Sequence, residues 1–344
     1  MGGRIALLAS SIVLTLAVLE LACRLERGRY YLLHWPNLVL DSREGAARYL
    51  DQAMVHDDEL GYAPRPSHVD RDAAHDDEGL RRTPAPTGLA PRPLLLAMGD
   101  SFTYGAEVGD TDTWPSRLQG LLGVRVLNGG VPAYGLDQAV LRSERLARKF
   151  QPQALILGFI TDDLRRNELS RFVGFNKPLL IQAGDDLAPA GPIPPPQPAR
   201  QSLAPWDRLF GWSVLFNIVL HRLDWLEDWP ADSVRVLPSG AGERMACPLM
   251  RRLAALGVPV LVVAQYDSDA WDDDRSAGEQ RRQALVVLRC AARAGLATLD
   301  TYGALDRRSA RHLFMPDGHL TAEGNALTAT AIAAAFKRMG LPLQ

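Results

Sequence analysis

From residue 94 to residue 301 the chain alternates short apolar runs with longer stretches whose apolar positions recur every three or four residues. Short runs bounded by glycine or polar residues read as strands buried on both faces, and the longer stretches as amphipathic helices. Parallel strands need a crossover between them, so this alternation predicts a doubly wound parallel sheet with helices on both sides. Strands are expected at 94–98, 124–127, 154–160, 259–265 and 297–301. Helices are expected at 113–122 (opened by Asp112 and Pro115), 136–150, 245–256 and 280–294. A last helix, capped by Thr321, carries the apolar run Ala331 to Phe336.

The first strand stops abruptly at Gly99-Asp100-Ser101-Phe102-Thr103-Tyr104-Gly105. A serine just past such a strand lies at the carboxyl edge of the sheet, where open α/β sheets place their chemistry. Far along the chain, Pro316-Asp317-Gly318-His319-Leu320 supplies an acid and a histidine two residues apart. A serine nucleophile needs a base to take its proton, and the base needs an orienting carboxylate. Ser101, His319 and Asp317 match those three roles. In isolation a serine at such a turn is an N-cap and a histidine before a helix is a surface residue; it is the combination that points to catalysis. His312 is a rival base, but no acid stands close to it in sequence and its surroundings look helical.

Together these residues resemble the SGNH (GDSL-type) hydrolase superfamily over roughly residues 92–340, with the motifs in family order. Gly99-Asp100-Ser101 resembles the nucleophile block, and Asn128-Gly129-Gly130 the second block, whose glycine amide (here Gly130) joins the oxyanion hole. Thr161-Asp162-Asp163-Leu164 occupies the place of the Gly-x-Asn-Asp block, and Asp317-Gly318-His319 resembles the acid–base block. The resemblance implies a flavodoxin-like three-layer α/β/α fold. It also implies ester hydrolysis or acyl transfer with no metal or other cofactor, with the amides of Ser101 and Gly130 stabilising the oxyanion. The serine does not stand in the Gly-x-Ser-x-Gly elbow of α/β-hydrolases.

Two departures stand out. Asp162 replaces the family asparagine, and losing such a donor typically raises the barrier by roughly 2.7–4 kcal/mol. Asp162 serves an oxyanion only if protonated, or if Arg165 or Arg166 donates instead. The Asp-x-His spacing is one residue shorter than the usual Asp-x-x-His and resembles that of the alginate O-acetylation proteins. Gly61-Tyr62 and Glu78-Gly79-Leu80-Arg81 resemble a membrane-anchored bacterial subgroup, which implies a periplasmic or otherwise extracytoplasmic catalytic domain acting on acylated envelope glycans. Two alternatives remain open: an impaired, glycan-binding or assembly protein on the same scaffold, or a lipid or thioester hydrolase.

Residues 1–28 read as a signal anchor. Ile5 to Leu19 is uncharged, and the apolar stretch runs on to Cys23 with Glu20 as its one charged residue. Leu21-Ala22-Cys23 resembles a lipoprotein site, but Glu20 stands where leucine is wanted. Arg4 before the segment and Arg24, Arg27 and Arg29 after it leave its orientation open. Residues 29–91 read as an irregular extension with two similar acidic scraps, His56-Asp57-Asp58-Glu59-Leu60-Gly61 and His75-Asp76-Asp77-Glu78-Gly79-Leu80, taken as exposed turns rather than metal ligands. An insertion at about 165–243 contains a proline-rich stretch, then an apolar helical face from Trp206 to Leu226, expected to pack on the main domain or to meet a membrane or acyl chain. Trp271-Asp272-Asp273-Asp274 reads as a solvated loop. Cys23, Cys247 and Cys290 are too few for a disulfide scaffold, and the last two read as core thiols. A formal net charge of −2 and the lack of a basic stripe exclude a nucleic-acid partner.

Overall fold

Five of the apolar runs form one parallel sheet in the computed structural model, which describes residues 2–27, 29–33, 35, 37–38, 52–85, 88–91, 93–172, 175–184, 186–195, 205–223, 240–305 and 310–340. The strands are β1 (Leu94–Met98), β2 (Arg125–Asn128), β3 (Ala154–Phe159), β4 (Val260–Ala264) and β5 (Ala297–Asp300). Their spatial order is β5-β4-β3-β1-β2, parallel throughout. This is the flavodoxin-like order, in which the chain winds outward in opposite directions from β1 and β3 and opens a crevice beyond their carboxyl ends.

Strand side chains alternate between two cores, as the period of two requires. Leu96, Met98, Leu155, Leu157, Val260 and Val262 pack with the helices Leu136–Phe150, Ala241–Ala254 and Asp274–Arg293. Leu95, Ala97, Ile156, Leu261 and Val263 meet Trp114 and Leu118 of helix Trp114–Leu122, with Ile332 and Phe336 of helix Ala322–Arg338. Burial on both faces is why the strands read as unbroken apolar runs.

Element ends moved where capping decides them. Helix Asp274–Arg293 begins before residue 280 because the Asp273 side chain accepts from the amides of Arg275 and Ser276, both at 2.9 Å. The stretch read as a solvated loop is therefore a short 3-10 turn, Ser268–Trp271, followed by a helix cap. Thr113, rather than Asp112, caps helix Trp114–Leu122, and Thr321 caps the last helix as expected.

Cys247 and Cys290 are not free thiols. They form a disulfide between helices Ala241–Ala254 and Asp274–Arg293, with Cα atoms 4.6 Å apart. Only the packing of these two helices on one sheet face brings the residues together, so no local spacing announced the pair.

The sheet belongs to a compact unit of residues 52–169, 177–194 and 238–344. Residues 52–91, read as an extension, are part of it. Their two acidic scraps form related turns, the second one residue longer: Asp57 Oδ1 accepts from the amides of Glu59 and Leu60, and Asp76 Oδ1 from those of Glu78 and Leu80. Each turn buries its leucine. Among the described residues no group of three metal-ligating side chains occurs.

The second unit comprises residues 1–51, 170–176 and 195–237. Its helix Gly2–Arg27 contains a membrane-length stretch, Gly3–Glu26, of mean hydropathy 2.3. Helices Pro205–Phe210 and Val214–Arg222 also lie here. The insertion's apolar face was expected to pack on the main domain or to meet a membrane or acyl chain. Among its described positions, Phe210, Val214, Phe216 and Leu220 gather with Cys23 and Leu38. Trp225 and Leu226 fall outside the described residues.

The disulfide closes a loop of 43 residues. Cys247→Ala or Cys290→Ala is expected to lower unfolding stability by about 2–4 kcal/mol. Denaturant titrations with and without reductant check this: reductant should shift the unaltered protein and leave the variants unmoved.

Candidate active site

Ser101 opens a four-residue helix, Ser101–Tyr104, directly after β1. Asp100 caps it, with Oδ1 accepting from the Phe102 amide at 3.0 Å, and Gly105 ends it at φ 82°, a left-handed conformation suited to glycine. Gly130, from the loop after β2, approaches so closely that a Cβ there would overlap the Tyr104 amide nitrogen. Only glycine fits.

The segment from His75 to Arg81 holds the far end of this helix. Arg81, wholly buried, donates to the carbonyls of Tyr104 (3.0 Å), Gly105 (2.5 Å), Val108 (2.6 Å) and Asp72 (2.9 Å), and pairs with Asp110 at 3.0 Å. A cation at a helix carboxyl end also satisfies the helix dipole. Asn128 adds a bond from Nδ2 to the Tyr104 carbonyl at 3.2 Å. His75 was read as part of an exposed turn, yet it is fully buried. Its Nδ1 faces the Arg65 carbonyl at 2.9 Å, so that nitrogen carries the proton, and Nε2 accepts from the Tyr104 hydroxyl at 2.9 Å. Burial keeps this imidazole below its ordinary pKa of 6.5.

His319 comes to Ser101 from the loop before the last helix. Its Nε2 lies 2.9 Å from Ser101 Oγ, and its Nδ1 lies 2.7 Å from Asp317 Oδ2. Asp317 Oδ1 also accepts from the His319 amide at 3.2 Å, so one carboxylate grips both the backbone and the ring. Gly318, at φ 94°, makes the reversal that permits this grip. The loop is closed by Met315 N to His319 O (2.7 Å) and Thr321 N to Leu313 O (2.8 Å). Phe102 packs beside the imidazole, ring centroids 5.5 Å apart. With Nδ1–H donating to Asp317, Nε2 is left to accept the serine proton. Ser101 and Phe102 are buried, while His319 and Asp317 keep side-chain exposures of 26% and 44%. His312 lies elsewhere, exposed beside Glu323 at 3.5 Å.

The two remaining sequence candidates are placed differently from their expected roles. The Gly130 amide donates to Asn128 Oδ1 at 3.0 Å, so it is already engaged. Asp162 begins helix Asp162–Arg166 after β3. Its carboxylate accepts from Arg165 Nε (2.8 Å) and Nη2 (3.2 Å) and from Arg166 Nε (3.1 Å). An acceptor held by two guanidinium groups cannot donate to an oxyanion.

Arg166 also donates to Asp163 Oδ1 at 2.9 Å and to the Tyr134 carbonyl at 2.8 Å, and lies 3.7 Å from Asp100 Oδ2. Three carboxylates thus share two guanidinium groups behind the serine. Burial lifts Asp100 above the usual carboxyl range against the pull of Arg166. Burial lifts Asp163 further, with the Asp100 charge adding to it. For Arg166 burial opposes the charge, but Asp162, Asp163 and Asp100 outweigh it and hold the guanidinium charged. Sequence reasoning missed Arg81, His75, Asn128 and Arg166 as supports of the serine. Arg81, His75 and Asn128 all lay in quoted motifs, but none was read as a support of the serine.

The sequence matches no known family profile and no curated protein. Similar solved structures include an alpha/beta hydrolase enzyme from the metagenome of Lake Arreo, Spain (15% identity over 72% of this chain and 96% of that one, TM-score 0.45). Others are a lipase/acylhydrolase from Enterococcus faecalis (13%, 74% and 99%, TM-score 0.43) and an acetylxylan esterase from Geobacillus stearothermophilus (14%, 72% and 95%, TM-score 0.43).

Two outcomes are expected. Asp162→Asn should cost about 1–3 kcal/mol of stability, because two buried guanidinium groups lose charge-assisted partners. It should not raise turnover, and parallel denaturation and ester assays check both. Separately, unfolding frees His75 to take up a proton near pH 6.5 that the folded imidazole refuses. Stability is therefore complete above pH 6.5 and declines as pH falls from there towards the lower folded value. His75→Gln should flatten that part of the stability–pH curve.

Proposed function

We propose that the chain is a serine esterase or deacylase of the SGNH type. One observation carries this reading: the hydrogen-bonded series Ser101–His319–Asp317, at 2.9 and 2.7 Å, at the carboxyl edge of a flavodoxin-like sheet. Ser101 Oγ attacks the ester carbonyl while His319 Nε2 takes its proton, and Asp317 holds the tautomer and stabilises the imidazolium. His319 then protonates the departing alkoxide. Water, or a sugar hydroxyl, enters with His319 again as base and releases the acyl group from Ser101.

The oxyanion donors we assign are the amides of Ser101 and Ala133. Ala133 lies in the loop after β2 at φ 64°, left-handed for a non-glycine residue. Its neighbours are pinned by Tyr62 Oη to the Pro132 carbonyl (3.0 Å) and Tyr134 Oη to the Tyr62 carbonyl (2.6 Å). Its own amide has no hydrogen-bond partner among the described residues. The engaged Gly130 amide and the paired Asp162 favour a second reading, a glycan-binding or assembly protein with an impaired site.

We read Gly3–Glu26 as a retained membrane anchor and the catalytic unit as extracytoplasmic. The helix is long and apolar with 6% of its span buried, and the Cys247–Cys290 pair suits an oxidising compartment. The envelope-glycan substrate rests on the resemblance of Gly61-Tyr62 and Glu78–Arg81 to the anchored subgroup.

Turnover of p-nitrophenyl acetate by full-length protein in detergent is the test. Ser101→Ala is expected to lower it by about 10⁴-fold or more. Serine-directed fluorophosphonate labelling should vanish in the same variant. Failure of Ser101 to label or turn over ester would favour the binding-protein reading.

A further inference from the structure

Helix Val214–Arg222 is apolar on two opposite sides. Val214 and Leu220 are buried, grouped with Cys23 and Leu38. Away from them, Val219 of the helix, Trp212 just before it and Leu223 just after it are 39–50% exposed and form an apolar stripe. Trp206 and Leu209 of the preceding helix are 65% and 56% exposed, and Trp35 is 54% exposed. A water-facing helix face carries polar residues, whereas these exposed positions are all apolar.

The stripe belongs to the same folded unit as helix Gly2–Arg27, whose apolar side chains from Ile5 to Leu21 are 46–73% exposed wherever they are large. The junction is built on an ion pair within the helix, Glu20 and Arg24, both of which also bond to the segment around helix Val214–Arg222. Glu20 accepts from Ser213 Oγ (2.8 Å) and from the amides of Val214 (3.0 Å) and Leu215 (2.9 Å), capping helix Val214–Arg222. Arg24, fully buried, pairs with Glu20 at 2.7 Å and donates to the carbonyls of Tyr31 and Trp212. Its guanidinium lies 3.8 Å from the Trp35 ring centroid, and Trp35 neighbours Trp212 at 5.7 Å. Tryptophans collected at one end of an apolar helix match the belt that such rings form at a membrane–water boundary.

We infer that helices Pro205–Phe210 and Val214–Arg222 lie in the headgroup–acyl boundary of the bilayer that Gly3–Glu26 crosses, their bare stripe covered by lipid. Glu20 and Arg24 fix this collar to the anchor, so the anchor is a structural member of the unit rather than a disposable leader. The inference rests on the proposed membrane-spanning role of the N-terminal helix.

The test uses full-length protein with Cys23→Ser in phosphatidylcholine–phosphatidylglycerol nanodiscs. A nitroxide is placed singly at Val13→Cys, Leu209→Cys, Val219→Cys or Leu327→Cys, all exposed positions. Electron paramagnetic resonance then compares collisions with oxygen, which concentrates in lipid, and with a nickel chelate, which stays in water. Positions 13, 209 and 219 should give oxygen-to-nickel ratios several-fold above that of 327. Oxygen-rich 13 with nickel-rich 209 and 219 would overturn the collar and leave the span standing. A nickel-rich 13 would overturn both. Dipolar broadening at 209 or 219 would show a second copy on the stripe and overturn lipid coverage.

Discussion

The position of the serine depends on one buried cation. Arg81 lies among the carbonyls at the end of helix Ser101–Tyr104, where peptide dipoles leave negative potential and no strand or helix bond remains to satisfy the oxygens. Four carbonyls and the Asp110 carboxylate together replace the water that the guanidinium loses. Its backbone also bridges to Asn128 at the end of β2. The segment before the first strand is therefore the rear wall of the Ser101 turn. A chain cut at residue 92 would take the guanidinium away from those carbonyls and leave the one at Tyr104 only Asn128.

On the other side of the serine, the polar groups are arranged by charge rather than by shape. Arg166 reaches Asp100, both aspartates that follow β3 and the carbonyl of Tyr134. It thereby links the ends of β1 and β3, the two strands that flank the crevice. Asp162 in this setting accepts and does not donate. The surrounding arginines compensate the added charge, which is why an unfavourable reading from the sequence becomes a stable arrangement in the structure.

Legibility tracked locality. The sheet could be read because each strand is a contiguous apolar run, and Ser101, Asp317 and His319 because each stands in a short motif at the end of such a run. The alternation gave a doubly wound parallel sheet but not its strand order, since more than one order satisfies the same alternation. What stayed hidden depends on tertiary approach. Cys247 meets Cys290 only once two helices share a sheet face. His75 looks like a surface histidine until Tyr104 closes over it. The engagement of Gly130 by Asn128 is local in sequence, yet it turns on a side-chain rotamer that a motif does not specify. Helix starts were misjudged where the capping side chain, such as Asp273, lay in a stretch that reads as loop.

The short Asp317-Gly318-His319 turn has a consequence for how such a site tolerates change. The Asp317 carboxylate holds both the backbone and the ring of His319 within one turn, so in the proposed reading base and acid form a single piece. The tertiary fold has to maintain only one long-range alignment, between that piece and Ser101, instead of two. In the proposed reading, drift in the surrounding loops acts through the single distance between His319 and Ser101, and one compensating shift restores it.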